Sequence, residues 1–107
     1  MSRAFATHET LQAAAVAVGN GTPLNVAGLA KIGLDVNIAG VATVRFEGTV
    51  NGTDWLALPM TKVEDGSAAD HATASAAYQG TVAALSLVRA RISSWASGAV
   101  TVEALGT

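Results

Sequence analysis

The stretch KIGLDVNIAGVATVRFEGTVNGTDW, residues 31–55, decides the fold class. Ile32, Leu34, Val36 and Ile38 alternate with Lys31, Gly33, Asp35 and Asn37. A period of two places one set on a buried face and the other in water, the pattern of a half-covered β-strand. Ala39-Gly40 reads as a turn. From Val41 to Val50 the alternation resumes, with Val44, Phe46, Gly48 and Val50 on one face and Thr43, Arg45, Glu47 and Thr49 on the other. Asn51-Gly52 is a strong hairpin signal, because both central residues of a type I′ turn need positive φ. Thr53-Asp54 lengthens that connection. A third strand is expected from Trp55 to about Val63, and Pro59 marks it as an edge or bulged strand because proline cannot donate to a ladder.

The C-terminal part repeats the pattern. Leu85–Ser94 sets Val88, Ala90 and Ile92 against Leu87, Arg89 and Arg91. Trp95-Ala96-Ser97-Gly98 reads as a turn with glycine at the left-handed position. Ala99–Leu105 then closes a second expected hairpin, with Val100, Val102 and Ala104 opposing Thr101 and Glu103. Before the deciding stretch, Gly19-Asn20-Gly21-Thr22-Pro23 is a loop between strands expected at about 11–18 and at Leu24–Val26. The first also fits helical spacing through Leu11, Ala14, Ala15 and Val18, with Gly19 as a C-cap; strand is the preferred reading. Glu64–Ala77 reads as a long surface loop, with one helical turn at Ser67–Asp70 as the alternative. Tyr78-Gln79-Gly80 belongs to a short strand before Val82–Leu85. The sum is an all-β protein: an antiparallel β-sandwich, jelly-roll-like, of seven or eight short strands. Its single domain spans 11–107, preceded by an N-terminal arm, 1–10.

Composition narrows the function. The chain has 107 residues, half of them hydrophobic, which is enough for one core without staples. Charged residues make up 13%, against roughly 25% in ordinary soluble domains. That shortfall suggests that copies of the chain or a partner cover part of the surface, although Thr, Ser, Asn and Gly could cover it too. Net charge is −2 and the six basic residues are dispersed, so the basic stripe that nucleic-acid binding needs is missing. Cysteine is absent, which excludes disulfides and thiolate metal sites. Neither a signal peptide nor a membrane-spanning run is visible. The expectation is a soluble chain made in the cytoplasm, without nucleic-acid or membrane partners.

Catalytic constellations fare poorly. His8 and His71 are the two histidines, far apart in sequence. Asp65 or Asp70 could join His71 at a metal, but metal geometry is demanding and exposed histidines are common. No Gly-x-Ser-x-Gly elbow supports a nucleophile. Carboxylate pairs drawn from Glu47, Asp54, Glu64, Asp65, Asp70 or Glu103 lack a cleft to share. No cofactor, metal or catalytic residue is therefore expected, and a small hydrolase is the weakest reading. Trp55 and Trp95 are candidate interface anchors or sugar-stacking platforms. Arg89 and Arg91 are expected either to ladder with Glu103 or to form a salt-bridged subunit contact, and Arg45 and Glu47 to find opposite charges on neighbouring strands. The candidate interface is thus Trp55, Trp95, Arg89, Arg91, Arg45 and Glu47.

Three segments also carry a resemblance. Gly21–Gly28, then Val44-Arg45-Phe46-Glu47-Gly48 through Asn51-Gly52-Thr53-Asp54-Trp55 with Leu58, then Leu87–Ile92 with Ser97–Val102 occur in this order. Over about residues 20–105 the chain resembles a group of short proteins of tailed bacteriophages and prophages. Their hairpin reads T-V-x-F-E-G-S-x-D-G-x-x-W, followed by V-R-A-R-V and S-G-S-V-T-V. This chain departs with Asn51 for Asp and Ala99 for Ser, both mild changes in a turn. The resemblance implies a non-enzymatic virion structural protein, a capsid decoration or cement protein or a head–tail accessory. Its partners would be its own copies, as a trimer or another symmetric oligomer, and phage capsid or tail proteins, and its place would be the virion. The alternative is a carbohydrate-binding module of a phage adhesion device that meets a surface glycan through Trp55 or Trp95.

Overall fold

The computed structural model describes residues 7–107. Eleven strands follow one another: β1 (Thr7–Ala15), β2 (Leu24–Asn25), β3 (Lys31–Ile38), β4 (Val41–Thr49), β5 (Leu56–Ala57), β6 (Met60–Lys62), β7 (Ala68–Ala69), β8 (His71–Ala72), β9 (Ala76–Thr81), β10 (Leu87–Ser97) and β11 (Val100–Gly106). One sheet has the order β1-β11-β3-β9-β6-β7; the other has β2-β10-β4-β5, with β8 also pairing with β4. Every pairing is antiparallel. The all-β sandwich expected from the alternation is what forms. The strand count exceeds seven or eight because β2, β5, β7 and β8 are two-residue pieces, too short to leave a period in the sequence.

Most of the inner layer is the set that the alternation names, Val50 excepted. Ile32, Leu34, Val36 and Ile38 of β3 meet Val44 and Phe46 of β4, Val88, Ala90 and Ile92 of β10, and Val100, Val102 and Ala104 of β11 in one core. Phe46 is fully buried and its ring lies 4.8 Å, centroid to centroid, from Tyr78 of β9. Gln12 of β1 is buried at the edge of this core. Its amide donates to the Ala90 carbonyl at 2.8 Å and to that of Gly19 at 3.2 Å, so a polar group stitches one sheet to the other.

Strand partners differ from expectation. Leu85–Ser94 and Ala99–Leu105 were expected to form a hairpin; instead β10 pairs with β4 and β2, while β11 pairs with β1 and β3. The bend at Ser97-Gly98 carries the chain between the sheets. Ala39-Gly40 does the same between β3 and β4. The reason is that each strand buries its aliphatic stripe against the opposite sheet, and a bend that changes sheets turns two consecutive stripes to face each other. The two bends are packed together. Ala39 N–H donates to the Ala99 carbonyl at 3.0 Å, and a Cβ on Gly98 would lie 2.5 Å from the Gly40 nitrogen. Gly98 also sits at φ +77°, where a side chain is strained.

The Asn51-Gly52 bend is a true hairpin, since Glu47 and Gly48 of β4 pair with Ala57 and Leu56 of β5. The strand expected from Trp55 to Val63 breaks at Leu58-Pro59: β5 stays in one sheet and β6 joins the other. The missing donor of Pro59 falls where the ladder has ended.

Residues 11–18 are strand rather than helix as far as Ala15, though β1 is bulged and Ala14 has φ +48°. The expected arm, 1–10, loses Thr7–Thr10 to β1, and residues 1–6 lie outside the described residues. Glu64–Ala77 is neither a long loop nor a helical turn. It holds a turn in which Asp65 accepts from the Ser67 N–H at 2.9 Å, then β7 and β8.

Candidate functional site

Antiparallel register assembles one polar surface on the outer face of the sheet β2-β10-β4-β5. Arg89 of β10 stands opposite Glu47 of β4, and the next outward row is Arg91, Arg45 and then His71 of β8. Arg89 Nε donates to Glu47 Oε1 at 2.8 Å, and Arg91 Nε reaches the same oxygen at 3.1 Å. The Arg89 guanidinium carbon lies 4.1 Å from the centroid of the Trp55 ring, a cation–π contact. Tryptophan, arginine and carboxylate therefore form one stack, from Trp55 just ahead of β5 to β10 and β4.

Partial burial alone would raise the Glu47 pKa. The hydrogen bonds from Arg91 and Arg89 and their positive charges outweigh it and hold the carboxyl below its ordinary value. With side-chain exposures of 13% for Glu47 and 17% for Arg89, this pair is withdrawn from solvent. Asp70, half-exposed beside His71, accepts from His71 Nδ1 at 2.8 Å. That hydrogen bond is the main reason its pKa falls below the usual carboxylate value.

Five of the six candidate interface residues thus meet on one face: Trp55, Arg89, Arg91, Arg45 and Glu47. The acid that answers Arg89 and Arg91 is Glu47, not Glu103. Glu103 lies in the other sheet, opposite Asp35. Trp95 is elsewhere. A bulge at Ser93 shifts the register between Ile92 and Ser94, so Trp95 pairs with the inward Ala42 and packs against the end of the core. Its indole N–H donates to the Gly98 carbonyl at 2.7 Å.

The sequence reading missed His71 and Asp70 as members of this face. His71 lies on β8, which is two residues long, and Asp70 just precedes it; the one signal was the neighbourhood of a histidine and an acid. It also missed a depression of about 360 Å³ at the hairpin end of the sandwich, lined by Val50, Leu56, Leu58 and Leu85 among others. Val50 is 70% exposed because the alternation breaks after Gly48 and buries Thr49 instead, and Leu56 of β5 is 71% exposed. Thr49 Oγ1 accepts the Gly52 N–H at 3.0 Å, and its position is fixed by that bond. His8, on β1 of the other sheet, is remote from His71. Among the described residues no three His, Asp or Glu side chains gather as metal ligands would, and no helix is long and apolar enough to cross a membrane.

With this geometry in hand, the chain is similar in fold to two solved structures. One is the crystal structure of SPBc2 prophage-derived protein YomS, with a TM-score of 0.91 and 18% identity over 99% of this chain and 96% of that one. The other is the crystal structure of PBSX exported protein XepA, also with a TM-score of 0.91 and 18% identity. Here the match covers 95% of this chain and 37% of XepA, so the present chain corresponds to about one third of that protein. At this identity the likeness establishes a shared fold. No family model matches the sequence, and no curated protein does.

Proposed function

We propose that the chain is a non-enzymatic structural component of a phage particle, a capsid decoration or head–tail accessory protein that assembles in several copies. The observation that carries this reading is the fold shared, nearly end to end, with a prophage-derived protein of almost the same length. Three features support it. The chain is poor in charge, as a surface covered by neighbours would be. Its outer sheet face carries a Trp–Arg–Glu stack that includes the residue types, Trp and Arg, that anchor interfaces. One end of the sandwich carries an exposed apolar depression of the kind that a neighbouring subunit covers.

The test is co-sedimentation of the purified chain with empty heads and, separately, with tails of the phage that encodes it, with mass spectrometry of purified particles alongside. Stoichiometric recovery with one of them is expected. Absence from both pellets and from the particles would sink the reading.

The carbohydrate-binding alternative draws less support. One face of Trp55 is taken by Arg89, and Trp95 is tied to Gly98 at the end of the core. A glycan array in which Trp55→Ala loses a signal shown by the wild type would reverse this preference.

A further inference from the structure

The two outer faces of the sandwich each carry a like-charge pair, and the pairs have opposite sign. On one face Arg91 and Arg45 are direct cross-strand partners, with His71 next in the same row. On the other, Glu103 and Asp35 are direct cross-strand partners, flanked in their row by Thr10 and Ala77, which carry no charge. Facing side chains in such positions stand about 5 Å apart, and like charges there destabilise a sheet. Glu47 relieves Arg91, and Asp70 lies near Arg45. Among the described residues, neither Asp35 nor Glu103 has a salt-bridge partner. Arg45, Asp35 and Glu103 are all exposed.

We infer that these faces are made for each other: the Arg45/Arg91 face of one copy docks on the Asp35/Glu103 face of the next. This rests on the self-assembly part of the function proposed above and names its surfaces. A second copy fits better than an unrelated anion because the chain itself supplies a two-carboxylate row to match a two-guanidinium row. Arginine forks and carboxylates pair with defined geometry. Gly33, in the row adjacent to Asp35, leaves room beside the carboxylates. Because the contact uses different surfaces on the two partners, it is head-to-tail, and repetition gives a ring or a filament rather than a closed two-fold dimer.

Sedimentation velocity of the full chain at ~20 mM and ~500 mM salt tests this, since screening at the higher value reaches within a few ångströms. Wild type is expected to associate at low salt and to dissociate at high salt. Arg45→Glu and Asp35→Lys should each weaken association at least tenfold while leaving the melting temperature near wild type. Each variant keeps one native face, so an equimolar mixture of the two should associate again. If association survives high salt or both substitutions, or the mixture fails to recover it, this inference falls and the self-assembly reading stands. A wild type that stays monomeric at low salt and millimolar concentration overturns both.

Discussion

The two ends of the sandwich are closed by turns that look alike in sequence and behave differently in space. At one end Ala39-Gly40 and Ser97-Gly98 carry the chain between sheets and press against each other, with room for no further atom on either glycine. At the other, Asn51-Gly52 tops a hairpin that stands in solvent, and a Cβ on Gly52 would meet nothing within 4 Å. Both Gly98 and Gly52 have positive φ, +77° and +82°. A glycine in a turn therefore reports backbone conformation in both cases and close packing in one. The contrast shows that turn chemistry fixes where the chain bends, while the sheet to which it returns is decided by what the next strand must bury.

The largest expected effect sets the scale, because it removes what both ends enclose. Phe46→Ala should cost about 3–5 kcal/mol, read as a lower urea midpoint; an unchanged midpoint would mean the face assignment is wrong. Next comes the crowded end. Gly98→Ala combines positive-φ strain with backbone overlap and should cost about 2–4 kcal/mol. At the open end Gly52→Ala keeps only the strain, about 1 kcal/mol. Equal melting temperatures for the two alanine variants would erase the distinction between the ends.

Asn51→Ala sharpens the comparison further. Asn51 Oδ1 accepts the N–H groups of Thr53 and Asp54, both at 2.8 Å, so the open turn is held from within by its own side chain, whereas the crowded end is held by bonds between its two bends and from Trp95. Its loss should cost about 1 kcal/mol. The smallest effect belongs to the charged face between the ends. Glu47 has a lower pKa folded than unfolded, so it stabilises the fold above its unfolded value, near 4.3. That contribution disappears as pH falls through the folded value. Stability measured from pH 5 downward should accordingly fall less steeply in Glu47→Gln than in wild type; parallel curves would remove the carboxylate from the account.

The alternation of β3, β4, β10 and β11 was legible because each buries one face, and it named most of the core. Partnership was not legible. Whether a two-residue bend makes a hairpin or a crossing depends on the opposite sheet, which no local pattern encodes. Hence Glu47 was known to seek a cation, but its meeting with Arg89, 42 residues away, follows from β4 lying beside β10. Two local irregularities misdirected the rest. The bulge at Ser93 turned Trp95 inward, away from Trp55, and the switch at Thr49 left Val50 in water. Five of the six candidates share a face because the arginines and the glutamate sit at positions of unbroken parity on paired strands.

The crossings at Gly40 and Gly98 also bear on how fast this chain finds its structure. Its longest strands take their hydrogen-bond partners from distant parts of the sequence, so the sheets offer little short-range pairing to start from. Such topologies reach the native state in milliseconds to seconds rather than microseconds. Until it pairs with β4, a strand of eleven residues such as β10 has both edges bare. Newly made copies at high concentration would meet one another in that state, and dilution during refolding should raise the yield.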